Sequence, residues 1–388
     1  MSPITVVAVN SAAAIDAADW RRFCPPGDPF LAGDFLAILE RHGTAGQECG
    51  WSACHLVAKA DTGVVLGILP LYLRTNTYGD FTGDWSWENA YRQAGLRYYP
   101  KLLSGLPHTP ATGPRLLVGP GSVGEAARGA LLDAAKNMVA GHGLSSWHVA
   151  FPAETEIPAL TEAGLLIGAH VQFHWLDRGF GDFDGYLASF NAENRRKVKA
   201  QRRRAAESGL VIESRHGDEI DPAEWPLLHR IYASTFEKFG NWAVFTVNGF
   251  ADLAAALGRR MVLFVARADG KPVAAAICFR GNDTLYGRYW GALADYHSLH
   301  FELCFYQGIA YCLHEGLTRF EPGAGGEHKL ARGFTPTAVC SAHWIRDATM
   351  RELIGRHLQL QGEAVADYRV EVAERLPFRR DCLPPPEG

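Results

Sequence analysis

The residues best suited to chemistry sit in one short stretch, FEPGAGGEHKLARGF, from Phe320 to Phe334. Glycines at 323, 325 and 326 are followed by an acid, a base and two cations: Glu327, His328, Lys329 and Arg332. Glu327 and His328 can each take a proton, and Lys329 and Arg332 can each stabilise developing negative charge. Glycine permits close backbone approach and positive φ. A charged surface turn would share this composition. A glycine loop that directly follows a strand and mixes acid, base and cation is nonetheless a common seat of function, so these four residues are the catalytic candidates.

Three further segments offer binding groups. In NDTLYGRYWGA, Asn282 to Ala292, strand alternation puts Tyr286, Arg288 and Trp290 on one face. A buried arginine needs a partner, so Arg288 should meet Glu302, Glu321 or an anionic substrate group. His300 and Glu302 open the helix that follows, and a helix N-terminus suits an anion. Earlier, GDFTGDWSWENAYRQAGLRYYPKLL carries Asp84, Trp85, Trp87 and Lys101, and His108 lies just beyond in SGLPHTPATGPRLL. Aromatic platforms with a few polar groups describe a ligand pocket; an irregular packed loop is the alternative. HExxH, GxSxG, GxxxxGK[ST] and CxxC are all absent. Their absence removes the commonest metalloprotease, hydrolase, P-loop and zinc readings, and no metal site is expected.

The elements that must position these residues read as one plan used twice. HLVAKADTGVVLGILPLYLR and MVLFVARADGKPVAAAICFR each read as strand, polar turn and strand. Downstream, the helical runs Ala130–Leu144 and Phe301–Leu317 stop at Gly143 and Gly316 and lead into the strands SSWHVAF and TRFEPG. The fold class is therefore α/β (α+β), with a mixed, mostly antiparallel sheet and flanking helices in each half. The expected domains are 1–170 and 171–376, with a flexible proline-rich tail at 377–388. The halves meet near His170 to Phe190, and a helix, NAENRRKVKAQRRRAAESGL, follows. It places seven positive charges from Arg195 to Arg204, which fits a solvated face or an anionic partner.

Composition narrows the class. The 388 residues are 47% hydrophobic and 21% charged, enough to bury a full core. The formal net charge of −4 argues against a duplex-DNA binder. Eight cysteines without a CxxC pair read as reduced thiols of a cytoplasmic protein. The N-terminus lacks signal-peptide character, and no apolar run approaches the ~20 residues of a membrane span.

Taken together, GDFTGDWSW, YYPKL, HTPATGPRLL, LYGRYWG, LHFELCFYQGI and FEPGAGGEHKLARGF resemble the FemAB-like, peptidoglycan biosynthesis/recognition group of the GNAT acyltransferase superfamily. The resemblance spans about Asp34 to Asp347. It implies two tandem GNAT-like domains and transfer of an acyl or aminoacyl group onto a primary amine of a peptidoglycan-type or other small substrate. It also offers Lys329 for the lysine near the reacting ester. The donor would be aminoacyl-tRNA, held through Arg195–Arg204, or acyl-CoA, with no permanently bound cofactor. The loop ALADYHSLH lacks the Q/RxxGxG/A turn by which GNAT enzymes cradle a pyrophosphate. Trp85, Trp87, Lys101, Tyr286 and Arg288 would line a cleft between the halves. An acetyl-CoA-dependent N-acetyltransferase and a non-catalytic protein that binds peptide or cell-wall fragments are the alternative readings.

Overall fold

The computed structural model describes residues 3–382. They form two compact units, and neither is a single run of chain. The first contains residues up to His170 together with Ala338–Ala366; the second contains Val171–Thr337 and the chain from Asp367 onward. The sequence reading placed 338–366 in the second domain. Strand pairing explains the difference. The end of the Thr335–Ile345 strand pairs antiparallel with Ser146–Ala150, from Ser341 opposite Ala150 to Ile345 opposite Ser146. Met350, Ile354 and Leu358, spaced four apart on the Ala348–Ala373 helix, then bury one face against Trp87, Tyr91 and Tyr98.

The tail also differs from the expectation of a frayed end. Phe378 is buried in the core of the second unit. Asn191 N–H donates to Pro377 O and Arg379 N–H to Ser189 O, each at 2.8 Å. Residues 383–388 lie outside the described residues.

The first unit holds an antiparallel sheet in the order Ile4–Val9, His55–Ala60, Val65–Leu69, Leu117–Val118. A second set of strands runs Trp51–Ala53, Tyr72–Arg74, Lys101–Ser104, Ser146–Ala150. The last two are parallel, and the Gly121–Gly141 helix lies between them in the chain. Ala127, Leu131, Ala135 and Val139 form the buried stripe of that helix.

The second unit repeats the scheme. Val211–His216, Met261–Ala268, Lys271–Arg280 and Thr284–Ala292 form an antiparallel meander. Arg319–Glu321 joins it in parallel after a helical run over Leu299–Glu315. The Trp225–Lys238 helix packs so closely on the meander that a Cβ at Gly291 would lie 1.7 Å from Ile231 O. The basic helix is Ala192–Ala206, capped by Asn191, with only Val198 and Ala205 buried.

The two units differ beyond their parallel strand pairs. In the first, the space is filled. Gly113 pairs with Pro152, and Arg115 donates to Ala150 O at 2.9 Å and Ala111 O at 2.6 Å. Buried Glu156 accepts the N–H groups of Arg115 and Leu116. In the second, pairing stops at Tyr286 opposite Glu321, and the chains diverge around a cavity.

Candidate active site in the second unit

The cavity measures about 310 Å³ and lies between Gly287–Trp290 on one strand and Pro322–Lys329 on the other side. Its position follows from three local features. The first is an irregularity in the meander: Cys278 faces Gly287 while Ile277 faces Tyr289. Arg288 is therefore an extra residue, and the bulge brings Arg288, Tyr289 and Trp290 consecutively to the cavity. Strict alternation, as read from sequence, would have chosen Tyr286 instead; Tyr286 sits half-buried opposite Phe279 and Glu321 and does not border the cavity.

The second feature is a π turn, Glu302–Tyr306, within the helical run that starts at Leu299. Such turns recur at functional sites because they widen the helix and re-aim its side chains. Here His300, Cys304 and Phe305 face the cavity. Glu302 turns elsewhere. Its carboxylate accepts from the Arg202 guanidinium at 3.2 Å and from Gln307 at 2.8 Å, so it partners neither Arg288 nor a substrate anion at the helix start.

The third is the glycine loop. Gly323, Gly325 and Gly326 all have positive φ, and Gly326 introduces the 3-10 turn Glu327–Arg332. A Cβ at Gly326 would come within 2.4 Å of the His328 ring, so only glycine lets that ring settle. His328 and Lys329 both border the cavity. Lys329 is 4% exposed and donates through Nζ to Gly323 O at 2.7 Å. Burial pulls its pKa down to about 8. Burial, followed by the charges of Lys329 and Arg332, also lowers the pKa of His328. His300 stacks edge-on against Trp290 at 5.3 Å, and burial followed by the nearby cations pushes it down to about 4. Both imidazoles are thus neutral at pH 7 and able to accept a proton. The thiols of Cys278 and Cys304 are held protonated by burial, Cys278 at about 12, which makes them poor nucleophiles.

The other two residues of the loop quartet point away. Glu327 accepts from Tyr368 Oη at 2.6 Å and pairs with Arg375 at 3.2 Å. The Tyr368 hydrogen bond holds its carboxyl below the usual range, the wrong direction for a base. Arg332 lies over the Phe301 ring at 3.6 Å and reaches Gln201 at 3.1 Å, bracing the turn against the basic helix. Neither borders the cavity.

The aromatic candidates of the first unit do not form an open pocket. Lys101 is fully buried and ion-paired to Asp84 and, at 3.0 Å, to Asp80. Burial works against the Asp84 charge, yet Lys101, then His148, keeps its carboxyl below the usual range. Trp87 is buried against His148 and His343, and His108 bonds Thr44 O at 2.9 Å inside the core. Only Trp85 is exposed, at 71%. Sequence reading missed a buried chain here: Tyr98 Oη contacts His148 Nε2 at 3.2 Å, His148 meets His343 at 2.6 Å, and Ser341 links His343 to His170. His148 and His343 lie on strands 195 residues apart, so no spacing announces it. No cluster of three metal-ligating side chains, and no helix long and apolar enough to cross a membrane, occurs among the described residues.

The family model for peptidoglycan biosynthesis/recognition proteins matches residues 11–380. The chain belongs to the FemAB-like family. Among curated proteins none matches it in sequence. Solved structures similar to this FemAB-like chain include FemX, with 13% identity, a TM-score of 0.52, and 88% of this chain and 98% of that one covered. The C-terminal DUF2156 domain of a protein described as a lysylphosphatidylglycerol synthetase from Agrobacterium fabrum is similar at 11% identity and TM-score 0.52, covering 90% and 97%. A tandem GNAT protein from the clavulanic acid biosynthesis pathway aligns at 14% identity and TM-score 0.47, covering 88% and 98%. The likenesses to FemX and to the DUF2156 domain show the fold, mixed α/β with antiparallel-rich sheets and flanking helices.

Proposed function

We propose that the cavity of the second unit passes an activated acyl group to a primary amine, as an acyl- or aminoacyltransferase acting on a peptidoglycan-type or other small amine. The observation that carries this reading is the placement of His328 and Lys329 side by side at the opening of the parallel strands. The acceptor must lose a proton before its nitrogen lone pair can attack. Four basic side chains, Arg288, His300, His328 and Lys329, border the cavity, and no aspartate or glutamate does. Positive surroundings lower the pKa of an incoming ammonium. Neutral His328 takes its proton, directly or through water. A C–N bond forms at the acyl carbon, and charged Lys329 faces the resulting oxyanion. Collapse then breaks the C–O or C–S bond of the donor, and the proton passes to the leaving group. No covalent enzyme intermediate is needed.

Either donor, aminoacyl-tRNA or acyl-CoA, fits this chemistry. The basic helix favours the RNA-borne one: Arg195, Arg196 and Lys199 make no ion pair among the described residues. Isothermal titration with acetyl-CoA and with unfractionated tRNA, each repeated at two salt concentrations, separates the donors; RNA binding should weaken steeply with salt. Transfer to an amine, followed with the donor that binds, should fall by at least about 100-fold in Lys329→Met. His328→Gln should lose activity without losing the folded state. Undiminished transfer in both variants would remove this cavity as the reaction site.

A further inference from the structure

A cavity of about 710 Å³ in the first unit has no part in the chemistry above. It opens at the beginnings of the parallel strands Lys101–Ser104 and Ser146–Ala150, bordered by Tyr99, Pro100 and Ser145 just before them. The second unit keeps its cavity at the opposite end of the corresponding strands. Three basic side chains surround this one: Arg97, His142 and Arg346. Neither arginine makes an ion pair among the described residues. The single bordering carboxylate, Asp347, uses Oδ1 to accept the Met350 N–H at 2.9 Å, capping the Ala348–Ala373 helix.

A second, independent feature points the same way. Tyr91 borders the cavity, is 2% exposed, and has a buried hydroxyl with no hydrogen-bond partner among the described residues. An unsatisfied buried hydroxyl costs stability unless something accepts its proton. Burial, followed by Asp347, raises its pKa, so the group remains a donor. Two permanent cations, an idle O–H donor and one half-occupied carboxylate border the same cavity. A planar monoanion would satisfy one guanidinium; a dianion with three terminal oxygens can meet both arginines and the tyrosine together.

We propose that this cavity binds a soluble phosphate monoester, its dianion held by Arg97 and Arg346 and accepting the hydrogen bond of Tyr91. The site is separate from the acyl-transfer cavity, and its occupancy is testable without any transfer assay. Titration calorimetry of the whole protein with glycerol 3-phosphate, at constant ionic strength, should give one saturable site. Inorganic phosphate should compete and acetate should not. The Arg97→Gln, Arg346→Gln double variant should lose binding more than 10-fold, because two charge-assisted contacts disappear. Tyr91→Phe should bind about fivefold more weakly, the value of one hydrogen bond, while its ligand-free melting temperature stays the same or rises. Absence of saturable binding at millimolar phosphate ester, equal binding of acetate, or wild-type affinity in the folded double variant would each overturn the assignment.

Discussion

Lys329 carries a cost that its function explains. Its pKa falls from the ordinary 10.5 to about 8 because the folded chain buries the ammonium. The charged form is therefore disfavoured on folding, by up to about 3 kcal/mol below pH 8. As pH rises from 8 to 10.5 the unfolded chain alone still binds the proton, and the cost disappears. Lys329→Met should accordingly be more stable than the parent below pH 8, with the gap closing by pH 10.5. Urea midpoints across that range check it; a variant less stable at every pH would show the ammonium to be structurally satisfied. Lys101 presents the opposite case. It neutralises Asp80 and Asp84 where all three side chains are buried. Lys101→Met should destabilise by about 3–5 kcal/mol, since two buried carboxylates lose their counter-ion. Stability unaffected by that change would return Lys101 to the list of substrate contacts. Sequence made His328 and Lys329 visible because charge beside glycine is rare in a core. It could not separate them from Glu327 and Arg332, because the phase of the 3-10 turn decides which of the four face inward. It could not see that Lys101 was a core ion either: an aromatic, charged segment reads alike whether its charges meet ligand or one another.

The elements around the cavity were legible in different degrees. Both hairpins and both glycine helix stops follow from local chemistry, and they stand where the sequence put them. The bulge at Arg288 and the π turn at Glu302–Tyr306 do not, since each inserts a residue into a regular ladder for tertiary reasons. The cavity owes its lining to those two irregularities, so strand alternation named Tyr286 and the helix-start argument named Glu302, while neither reached Tyr289 or Cys304. The glycine loop is the element most open to test. Gly326 has φ of 93°, and its missing Cβ leaves room for the His328 ring. Gly326→Ala should cost about 1–3 kcal/mol locally and displace that ring, lowering turnover more than substrate affinity. Histidine NMR shifts read the displacement directly, and an unmoved His328 resonance would refute the packing argument.

At the scale of the molecule, the sequence suggested two domains laid end to end, whereas the first compact unit runs to His170 and then takes in Ala338–Ala366. The return of Ala338–Ala366 to the first unit was hidden, because it depends on strand pairing between Ser146–Ala150 and residues almost 200 positions later. A chain ending at Thr337 should therefore leave Ser146–Ala150 without its antiparallel partner and the first unit without Met350, Ile354 and Leu358. Circular dichroism and proteolysis of that truncated chain should show the first unit open. Linking Ala338–Ala366 after His170 should restore it; a truncated chain with a cooperative, native-like first-unit melt would contradict this.

The same threading sets a timetable during synthesis. The first unit needs Ala338–Ala366, and the core of the second takes in Val372, Leu376 and Phe378. From His170 to Ala366 is 196 residues, about 10–40 s of translation at ordinary rates. For that interval the nascent first unit must wait with its strand edge unpaired. Neither half can finish folding until the stretch from Ala338 onward has been made, and the second waits further, for Val372 to Phe378.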